Sequence, residues 1–366
     1  MKVMYYLRDQ GACGYYRAEL PMRTMSKWTG TQLARITLGD PMNKVQNMLD
    51  ADVALIPRPS DEDMIELVDI FREHGVKTVA DHDDNVFEIS PLSPHYLDYG
   101  TEDVTWEVNG KTIDLWKDGH TYDRAANIKR VEYFKHSLTK TDAVSVTTED
   151  LAKVYREYNE NVLVLPNCVD LDNWYKLPLK RDYEKEIRLF WQGGSSHYED
   201  WLLLKDVLPV IFDKYPQVHL HIMGCKWDST LAGCDPTRWT FHPWVHNEAY
   251  HYKVREIDPD ICLIPLKDTT FNRGKSPIKW VEQGASGVPS VTSYCTPYKE
   301  VYDGANGLFV ENETDAWIEG ISYMIDNPLQ RWDFGGKAKA TVKRNFDINK
   351  ECLRWHDAYK ELINGN

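Results

Sequence analysis

Several features that would restrict the class of this protein are missing from its sequence. No apolar run is long enough for a transmembrane helix and no basic-then-apolar signal peptide opens the chain, so we expect no stable insertion into a membrane. The seven cysteines show no paired spacing, which disfavours a disulfide framework or a zinc site and favours a cytoplasmic protein with reduced thiols. Acidic residues outnumber basic ones, 57 to 43, and the resulting net charge of −14 argues against a broad nucleic-acid surface.

The order of the hydrophobic segments predicts the fold class. Short apolar runs alternate with amphipathic stretches, which is typical of parallel α/β sheets, and the alternation occurs in two series. The 366 residues, 42% of them hydrophobic, are enough for two domains with separate cores. We predict an α/β protein with Rossmann-like domains at residues 1–170 and 187–345, a linker at 171–186 and a C-terminal helix at 346–366. Packing of that helix back on the first domain is one option.

One segment of the first series interrupts this alternation. Residues 101–122 contain two alternating runs joined by Asn109-Gly110, and Asn-Gly between such runs is the strongest short signal for a β-hairpin. We therefore predict a hairpin inserted in the N-terminal domain. It serves either the part of a site that binds an acceptor substrate or an interface.

One helix start in the second series has the composition of an anion site. Ser276 suits the N-cap and Pro277 the first helical position, so the third position holds Lys279 where a capping box would place Glu or Gln. With Lys275 just outside, cations crowd an already positive helix end, which is favourable only if a phosphate binds the backbone N–H groups. Glu282 follows one turn later, where a carboxylate can accept hydrogen bonds from a sugar diol. Phosphate and diol together indicate a nucleotide.

Four segments, in order along the chain, resemble motifs of the retaining GT-B glycosyltransferases. Leu165–Asp170 resembles the segment that closes their first domain, and Phe190–Asp200 the glycine loop that follows the first strand of the second. Asp258–Leu266 resembles the strand that leads into the donor loop, and Lys275–Thr292 the donor-site helix with its following strand. The resemblance covers most of the chain. It implies the GT-B fold, in which two Rossmann-like domains face each other across a cleft.

The same resemblance implies the activity and the donor site. The expected reaction moves a sugar from a nucleoside-diphosphate sugar, by default a UDP-sugar, to an acceptor hydroxyl with retention. Because the helix dipole and lysines can meet the phosphate charge, we expect neither a metal nor another cofactor. The implied donor-binding residues are Gly14, Tyr15, Arg17, Gly193, Gly194, Ser195, His197, Gly224, Trp244, Val245, Asn272, Lys275, Ser276, Pro277, Ile278, Lys279 and Glu282. For Arg17, a role as a phosphate ligand and a place on a helix surface are equally favoured.

Two positions depart from the family pattern and leave the sugar undefined. Gly274 stands where many relatives have a glutamate that reads the donor sugar. Many relatives also have an Arg and a Lys after the glycine loop of the second domain, whereas this chain has Ser195, His197 and Asp200.

The acceptor side is predicted at Asp81–Asn85, which follows a strand at the carboxyl edge where α/β sheets bind ligands. His82 or Asp83 would deprotonate or orient the acceptor hydroxyl, and relatives often have a catalytic-site histidine in this region. Lys275 completes the predicted catalytic set. Alternatively, Asp81 and Asp83 bind a divalent metal, or the segment is a solvated turn that caps a helix.

Two other functions use the same features. A nucleotide-sugar epimerase of the same fold needs no acceptor, and a non-catalytic nucleotide-sugar-binding protein would have lost activity with Gly274. The acceptor is a glycan, a lipid, a protein, a small molecule or a hydroxymethylated nucleic-acid base. A hydroxymethylated nucleic-acid base is one such acceptor and would need a local basic groove, for which Lys129–Lys140 supplies cations.

Overall fold

The computed structural model describes residues 1–37, 39–40, 42–174 and 186–365. It divides into two compact units. Unit 1 comprises Met1–Asn167, Gly274–Ser276 and Ile348–Asn366, and unit 2 comprises Cys168–Arg273 and Pro277–Asp347. Most of the predicted linker at 171–186 lies outside the described residues, and its first four residues form a short helix in unit 2.

Unit 1 is built on a six-stranded parallel sheet. The strands of this unit are Lys2–Leu7 (β1), Gln32–Thr37 (β2), Val53–Pro57 (β3), Lys77–His82 (β4), Val104–Val108 (β5), Lys111–Trp116 (β6), Ala143–Val146 (β7) and Val162–Val164 (β8). The sheet order is β2-β1-β3-β4-β7-β8. Its central strands are buried on both faces, as parallel sheets covered by helices require, which explains why they appear in the sequence as continuous apolar runs.

Helices and one hairpin complete unit 1. The helices are Ala12–Gly14 (α1), Leu20–Thr29 (α2), Met42–Gln46 (α3), Glu62–Glu73 (α4), Tyr96–Tyr99 (α5), Arg124–Lys140 (α6) and Glu149–Tyr155 (α7). A π-helical turn, Tyr15–Glu19, joins α1 to α2, and Val86–Glu88 forms a 3-10 turn. The C-terminal helix, Ile348–Asn364, packs against α2 within this unit.

The predicted hairpin is confirmed as the antiparallel pair β5–β6. Asn109 and Gly110 at its turn both have positive φ, 51° and 73°, which is the backbone that favours Asn-Gly. An aromatic cluster of Tyr96, Trp116 and Tyr122 anchors its base, where the Trp116 indole also donates to the carbonyl of Pro91. The hairpin is therefore fixed at its root, while the residues near its turn are exposed.

Unit 2 contains a second six-stranded parallel sheet with the order β11-β10-β9-β12-β13-β14. Its strands are Ile187–Gly193 (β9), Val218–Gly224 (β10), Trp239–His242 (β11), Ile261–Ile264 (β12), Ser290–Ser293 (β13) and Leu308–Val310 (β14). Its helices are Leu171–Trp174 (α8), Tyr198–Leu202 (α9), Val207–Lys214 (α10), Asn247–Ile257 (α11), Thr270–Arg273 (α12), Ile278–Ser286 (α13), Tyr298–Val301 (α14), Thr314–Asp326 (α15) and Pro328–Asn345 (α16). Ser195–His197, Asp228–Leu231 and Pro236–Arg238 form 3-10 turns.

None of the seven cysteines forms a disulfide. Among the helices that the structure describes, none has both the length and the apolar character needed to span a lipid bilayer.

Candidate functional site

The carboxyl ends of β9 and β10 approach each other so closely that only glycine fits. Gly224 has a φ of 98°, and a Cβ at that position would lie 2.4 Å from the carbonyl oxygen of Gly193. The same oxygen accepts a hydrogen bond of 2.9 Å from the backbone N–H of Cys225. Two of the predicted donor-site glycines, Gly193 and Gly224, are thus brought together at one sheet edge, where a ligand would meet backbone rather than a side chain.

Helix α13 starts later than the sequence predicts. The helix begins at Ile278 with Pro277 as its N-cap residue, and no side chain of the described residues caps it. Ser276 is therefore one residue outside the capping position, and its buried hydroxyl makes no hydrogen bond within the described chain. The predicted cap at Ser276 is wrong, and Lys279 stands at the second helical position rather than the third. Either position lies in the first turn, where a cation is unfavourable unless an anion is bound.

Two polar side chains of α13 meet the end of β9. The carboxylate of Glu282 is largely buried, with 6% of the residue exposed, and its Oε2 accepts a hydrogen bond of 2.8 Å from Nε2 of Gln192. The Lys279 ammonium lies 5.8 Å from the centre of the Trp191 ring. Sequence reasoning did not select Gln192, although its place directly before Gly193-Gly194 at a strand end is a signal that could have found it.

Asp200 organises the loops around this strand end. Its Oδ2 lies 2.7 Å from Nδ1 of His197, and its Oδ1 accepts from the Lys267 backbone N–H at 2.7 Å and the Asn272 amide at 3.0 Å. Burial alone would raise the pKa of Asp200, but the bond and charge of His197 outweigh it and lower that pKa. The contacts of His197 and Asn272 with Asp200 hold the loops together, which is a supporting role, and the predicted donor contacts of both residues stay predictions.

The remaining predicted donor residues of unit 2 lie on loops. Ser195 is exposed in the 3-10 turn that follows Gly194. Trp244, which is 57% exposed, and the half-buried Val245 follow the end of β11. The positions of these residues neither support nor contradict a pocket for the nucleobase, so their contacts with a nucleobase stay predictions.

The tripeptide Gly274–Ser276 belongs to unit 1 by its contacts. The Thr148 hydroxyl donates to the carbonyl oxygen of Gly274 at 3.0 Å, and Nζ of Lys275 lies 3.2 Å from Oδ1 of Asp84. Lys275 was predicted to meet phosphate charge and to take part in catalysis. The Lys275 ammonium here lies beside the Asp84 carboxylate. Both roles stay predictions, and each would require the ammonium to contact the phosphate as well as Asp84.

Arg17 is a structural residue in the core of unit 1. It is only 1% exposed and forms a bidentate pair with Asp81, with Nε to Oδ1 at 3.0 Å and Nη2 to Oδ2 at 2.7 Å. Its Nη1 donates to the Leu165 carbonyl and to the Asn167 side chain, and its guanidinium stacks over Trp355 of the C-terminal helix. A guanidinium used in this way cannot reach a phosphate, which corrects the predicted donor-binding role and also departs from the surface alternative.

The glycine loop that precedes Arg17, residues 9–14, contains a carboxylate that binds its own backbone N–H groups. The Asp9 carboxylate accepts from the backbone N–H groups of Gly11 and Gly14 at 2.8 and 3.2 Å, so it occupies the start of α1. A Cβ on Gly14 would lie 1.9 Å from the Asp9 carbonyl oxygen. Gly14 is therefore needed for loop closure, and Tyr15 packs edge-on against Tyr16. Their predicted donor contacts are not tested by these placements.

His82, the last residue of β4, faces the apolar side of the sheet. It is fully buried, its ring centre lies 4.4 Å from that of Phe134 and 5.1 Å from that of Tyr155, and neither ring nitrogen has a hydrogen-bond partner within the described chain. Burial lowers the pKa of His82 from 6.5 to about 3. A neutral imidazole enclosed by rings is unsuited to exchange a proton with an acceptor, which corrects the predicted catalytic role.

This placement predicts how His82→Leu behaves. An unfolded chain binds a proton below pH 6.5 that the folded chain refuses down to about pH 3, so the histidine costs stability increasingly between these values. At pH 4.5 the penalty is about 3 kcal/mol. We expect His82→Leu to keep its activity at pH 7 and to remove most of that acid destabilisation. Urea unfolding at pH 7 and pH 4.5 measures the second effect, and a large loss of activity in a stable variant would restore the catalytic role.

Asp83 has surroundings different from those of its neighbour. Its carboxylate lies 3.8 Å from Nε of Arg58, a residue with the unusual φ of 47° at the end of β3. Burial by itself would raise the pKa of Asp83, but the charge of Arg58 lowers it. Asp83 is therefore a carboxylate at neutral pH. Asp81 is instead fully engaged by Arg17 and Ser145, which argues against an Asp81–Asp83 metal pair. The described residues contain no group of three or more His, Cys, Asp or Glu side chains placed to hold a metal ion.

Comparison with known proteins identifies a family domain in unit 2. Residues 188–327 match the family described as glycosyl transferases group 1. The trehalose synthase of Pyrococcus horikoshii is 24% identical over 183 residues, which are 46% of this chain and 43% of that protein. The chain therefore matches less than half the length of this relative.

Solved structures are similar over nearly the whole chain. The sucrose-phosphate synthase of Thermosynechococcus elongatus has a TM-score of 0.63 at 12% identity and is covered completely, as is this chain. A glycosyltransferase from Rickettsia africae has a TM-score of 0.67 at 11% identity, covering 100% of this chain and 99% of that one. Anabaena HepE, in a structure with UDP and glucose, has a TM-score of 0.65 at 12% identity over 99% and 100%.

These comparisons agree with the two parallel sheets and confirm the predicted fold class. At such low identity the structural likeness shows the fold, while the family match covers the residues of the candidate donor site. The chain therefore contains a glycosyl transferase group 1 domain and has the GT-B fold of glycosyltransferases.

Proposed function

We propose that the chain transfers a sugar from a UDP-sugar to an acceptor hydroxyl, with retention at the anomeric carbon and without a metal ion. The observation that carries this proposal is the start of α13 in unit 2. There Lys279 and the buried Glu282 meet the glycine-bearing end of β9, inside the segment that matches glycosyl transferases group 1. The structures of Anabaena HepE in complex with UDP and glucose and with UDP-glucose support UDP as the nucleotide.

The charge of the leaving group is met by the protein itself. Transfer leaves a nucleoside diphosphate, so negative charge grows on the departing phosphate oxygens. The positive end of α13 and the Lys279 ammonium stabilise that charge, and preorganised groups of this kind usually supply the largest part of catalysis. Because these two groups supply positive charge beside the diphosphate, the proposed reaction needs no metal ion. Retention is proposed from the resemblance of Lys275–Thr292 to the retaining enzymes.

Glu282 is assigned to the ribose. An ionised carboxylate accepts hydrogen bonds from both hydroxyls of a diol, and burial strengthens each of those bonds. For the acceptor, we assign Asp83 in unit 1 as the carboxylate that orients the attacking hydroxyl. It lies just beyond the end of β4, and its lowered pKa keeps it ready to accept a hydrogen bond at neutral pH.

A thermal-shift screen with UDP-, GDP-, ADP- and CMP-linked sugars tests the donor assignment. We expect UDP-sugars to raise the melting temperature most, by about 2–4 °C if the ligand is supplied at a hundred times its Kd. Glu282→Ala should lose most of that shift, whereas Glu256→Ala on the exposed face of α11 should keep it. A protein that no nucleotide sugar stabilises, or a Glu282→Ala variant that responds like wild type, would contradict the proposal.

A further inference from the structure

We propose that Gln192 is a positioning residue, which holds the Glu282 carboxylate in the orientation that binds the donor ribose and so gives the site its preference for ribonucleotides. This inference rests on the proposed function, because it requires Glu282 to contact a ribose diol.

The contact between these residues is made by two different layers of unit 2. Gln192 is the penultimate residue of β9, directly before Gly193, and Glu282 projects from α13 one turn after its start. The strand and the helix bring Nε2 of Gln192 to 2.8 Å from Oε2 of Glu282, although 90 residues separate them in the chain. The hydrogen bond therefore depends on tertiary structure, and it joins the glycine-bearing strand end to the donor-site helix.

The surroundings of Glu282 make this bond important for its orientation. Three buried neighbours, Tyr250, Cys262 and Tyr298, each have a raised pKa, mainly because of burial and in part because of the Glu282 charge. All three are thus neutral at pH 7. An amide hydrogen bond in such partly dehydrated surroundings is stronger than the same bond in water.

The torsion that sets the plane of a glutamate carboxylate has only a broad preference of its own. A donor fixed on a strand removes that freedom by selecting one orientation before a ligand arrives. A carboxylate accepts about four hydrogen bonds, so one from the Gln192 amide is compatible with two more from the hydroxyls of a diol. Gln192 thus acts through Glu282, by preorganisation, and need not touch the nucleotide.

A purely structural role for Gln192 predicts a different pattern of losses. If its amide only satisfies a buried carboxylate, its removal loosens the site and weakens all nucleotides alike. If it positions Glu282, the loss appears only for ligands that carry ribose hydroxyls. The ratio of affinities for UDP and 2′,3′-dideoxy-UDP separates these two roles.

The experiment measures both affinities by isothermal titration calorimetry for wild type, Gln192→Ala, Glu282→Ala and the double variant. We expect Gln192→Ala to weaken UDP about fivefold or more and to leave dideoxy-UDP within about twofold. The double variant should bind UDP no more weakly than Glu282→Ala. Gln283→Ala is the matched control, because this neighbour on α13 donates its buried amide to the Tyr250 hydroxyl at 2.9 Å; its ratio of the two affinities should equal that of wild type.

Two kinds of failure can be told apart. If Gln192→Ala weakens both nucleotides equally, or its effect adds fully to that of Glu282→Ala, Gln192 does not act through Glu282 and the inference is overturned while the ribose assignment survives. If wild type binds UDP no better than dideoxy-UDP, or Glu282→Ala binds UDP as wild type does, the ribose assignment is overturned and the positioning role with it.

Discussion

Replacing Arg17 with methionine is expected to lower the free energy of unfolding by about 3–5 kcal/mol, the largest loss we predict for a single substitution. The change leaves the buried Asp81 without its bidentate partner, and it frees the Leu165 carbonyl and the Asn167 side chain from their donor. Methionine keeps much of the side-chain volume, so the loss reports the uncompensated charge rather than a cavity. Chemical denaturation followed by fluorescence measures it.

Two further variants show whether this loss comes from the buried charge. Arg156→Met removes an exposed arginine whose Nη2 lies 3.0 Å from Glu149, and it should change stability by less than about 0.5 kcal/mol. Combining Arg17→Met with Asp81→Leu removes both charges and should recover part of the loss. An Arg17→Met protein as stable as wild type would show that the guanidinium does not hold these strand ends together.

Lys279→Ala is expected to reduce the rate of UDP release from a UDP-sugar by about a hundredfold, the scale found when one preorganised group at a developing anion is removed. The ammonium stands in the first turn of α13, where its charge helps to lower the pKa of Asp200 and partly opposes the rise that burial causes in the pKa of Cys262. Charge grows on the diphosphate as the sugar departs, so the lysine should stabilise the transition state more than the bound donor. The expected result is a larger effect on kcat than on KM.

The matched control for Lys279→Ala is Lys253→Ala. Lys253 is on α11 of the same unit, where its Nζ pairs with Glu256 at 2.8 Å, and its removal should leave the rate within about twofold. Lys279→Arg should retain a substantial part of the activity, because the positive charge remains. Equal rates for Lys279→Ala and wild type would place the phosphate charge elsewhere, with Lys275 as the next candidate.

The two parallel sheets and the hairpin were predictable because their signals are local. Alternation of apolar runs with amphipathic stretches depends on neighbours a few residues apart, and so does the Asn109-Gly110 turn. The start of α13 was predicted only approximately. Ser276 and Pro277 are both acceptable at more than one position of a helix N-terminus. The ψ angle of Pro277 is 23°, outside the helical range, so the first helical residue is Ile278.

The roles of individual polar residues were predicted less well. Arg17 and His82 were both assigned to a ligand, and both are enclosed in unit 1. Their sequence neighbours do not reveal this, because successive residues of a strand face opposite sides of the sheet. Asp81 and His82 therefore have opposite surroundings, one with a guanidinium and one with aromatic rings.

The sequence by itself determined the order of strands and helices, the place of the hairpin, and the helix start that combines Lys279 with Glu282. These follow from periodicity and local backbone preference, which act over a few residues. Only the tertiary structure decided which polar groups are buried against one another, such as Arg17 with Asp81 and Gln192 with Glu282. The first pair is separated by 64 positions in the chain and the second by 90, so each pair meets only when the sheets form. Burial then decides whether a charged or polar side chain supports the core or faces a ligand.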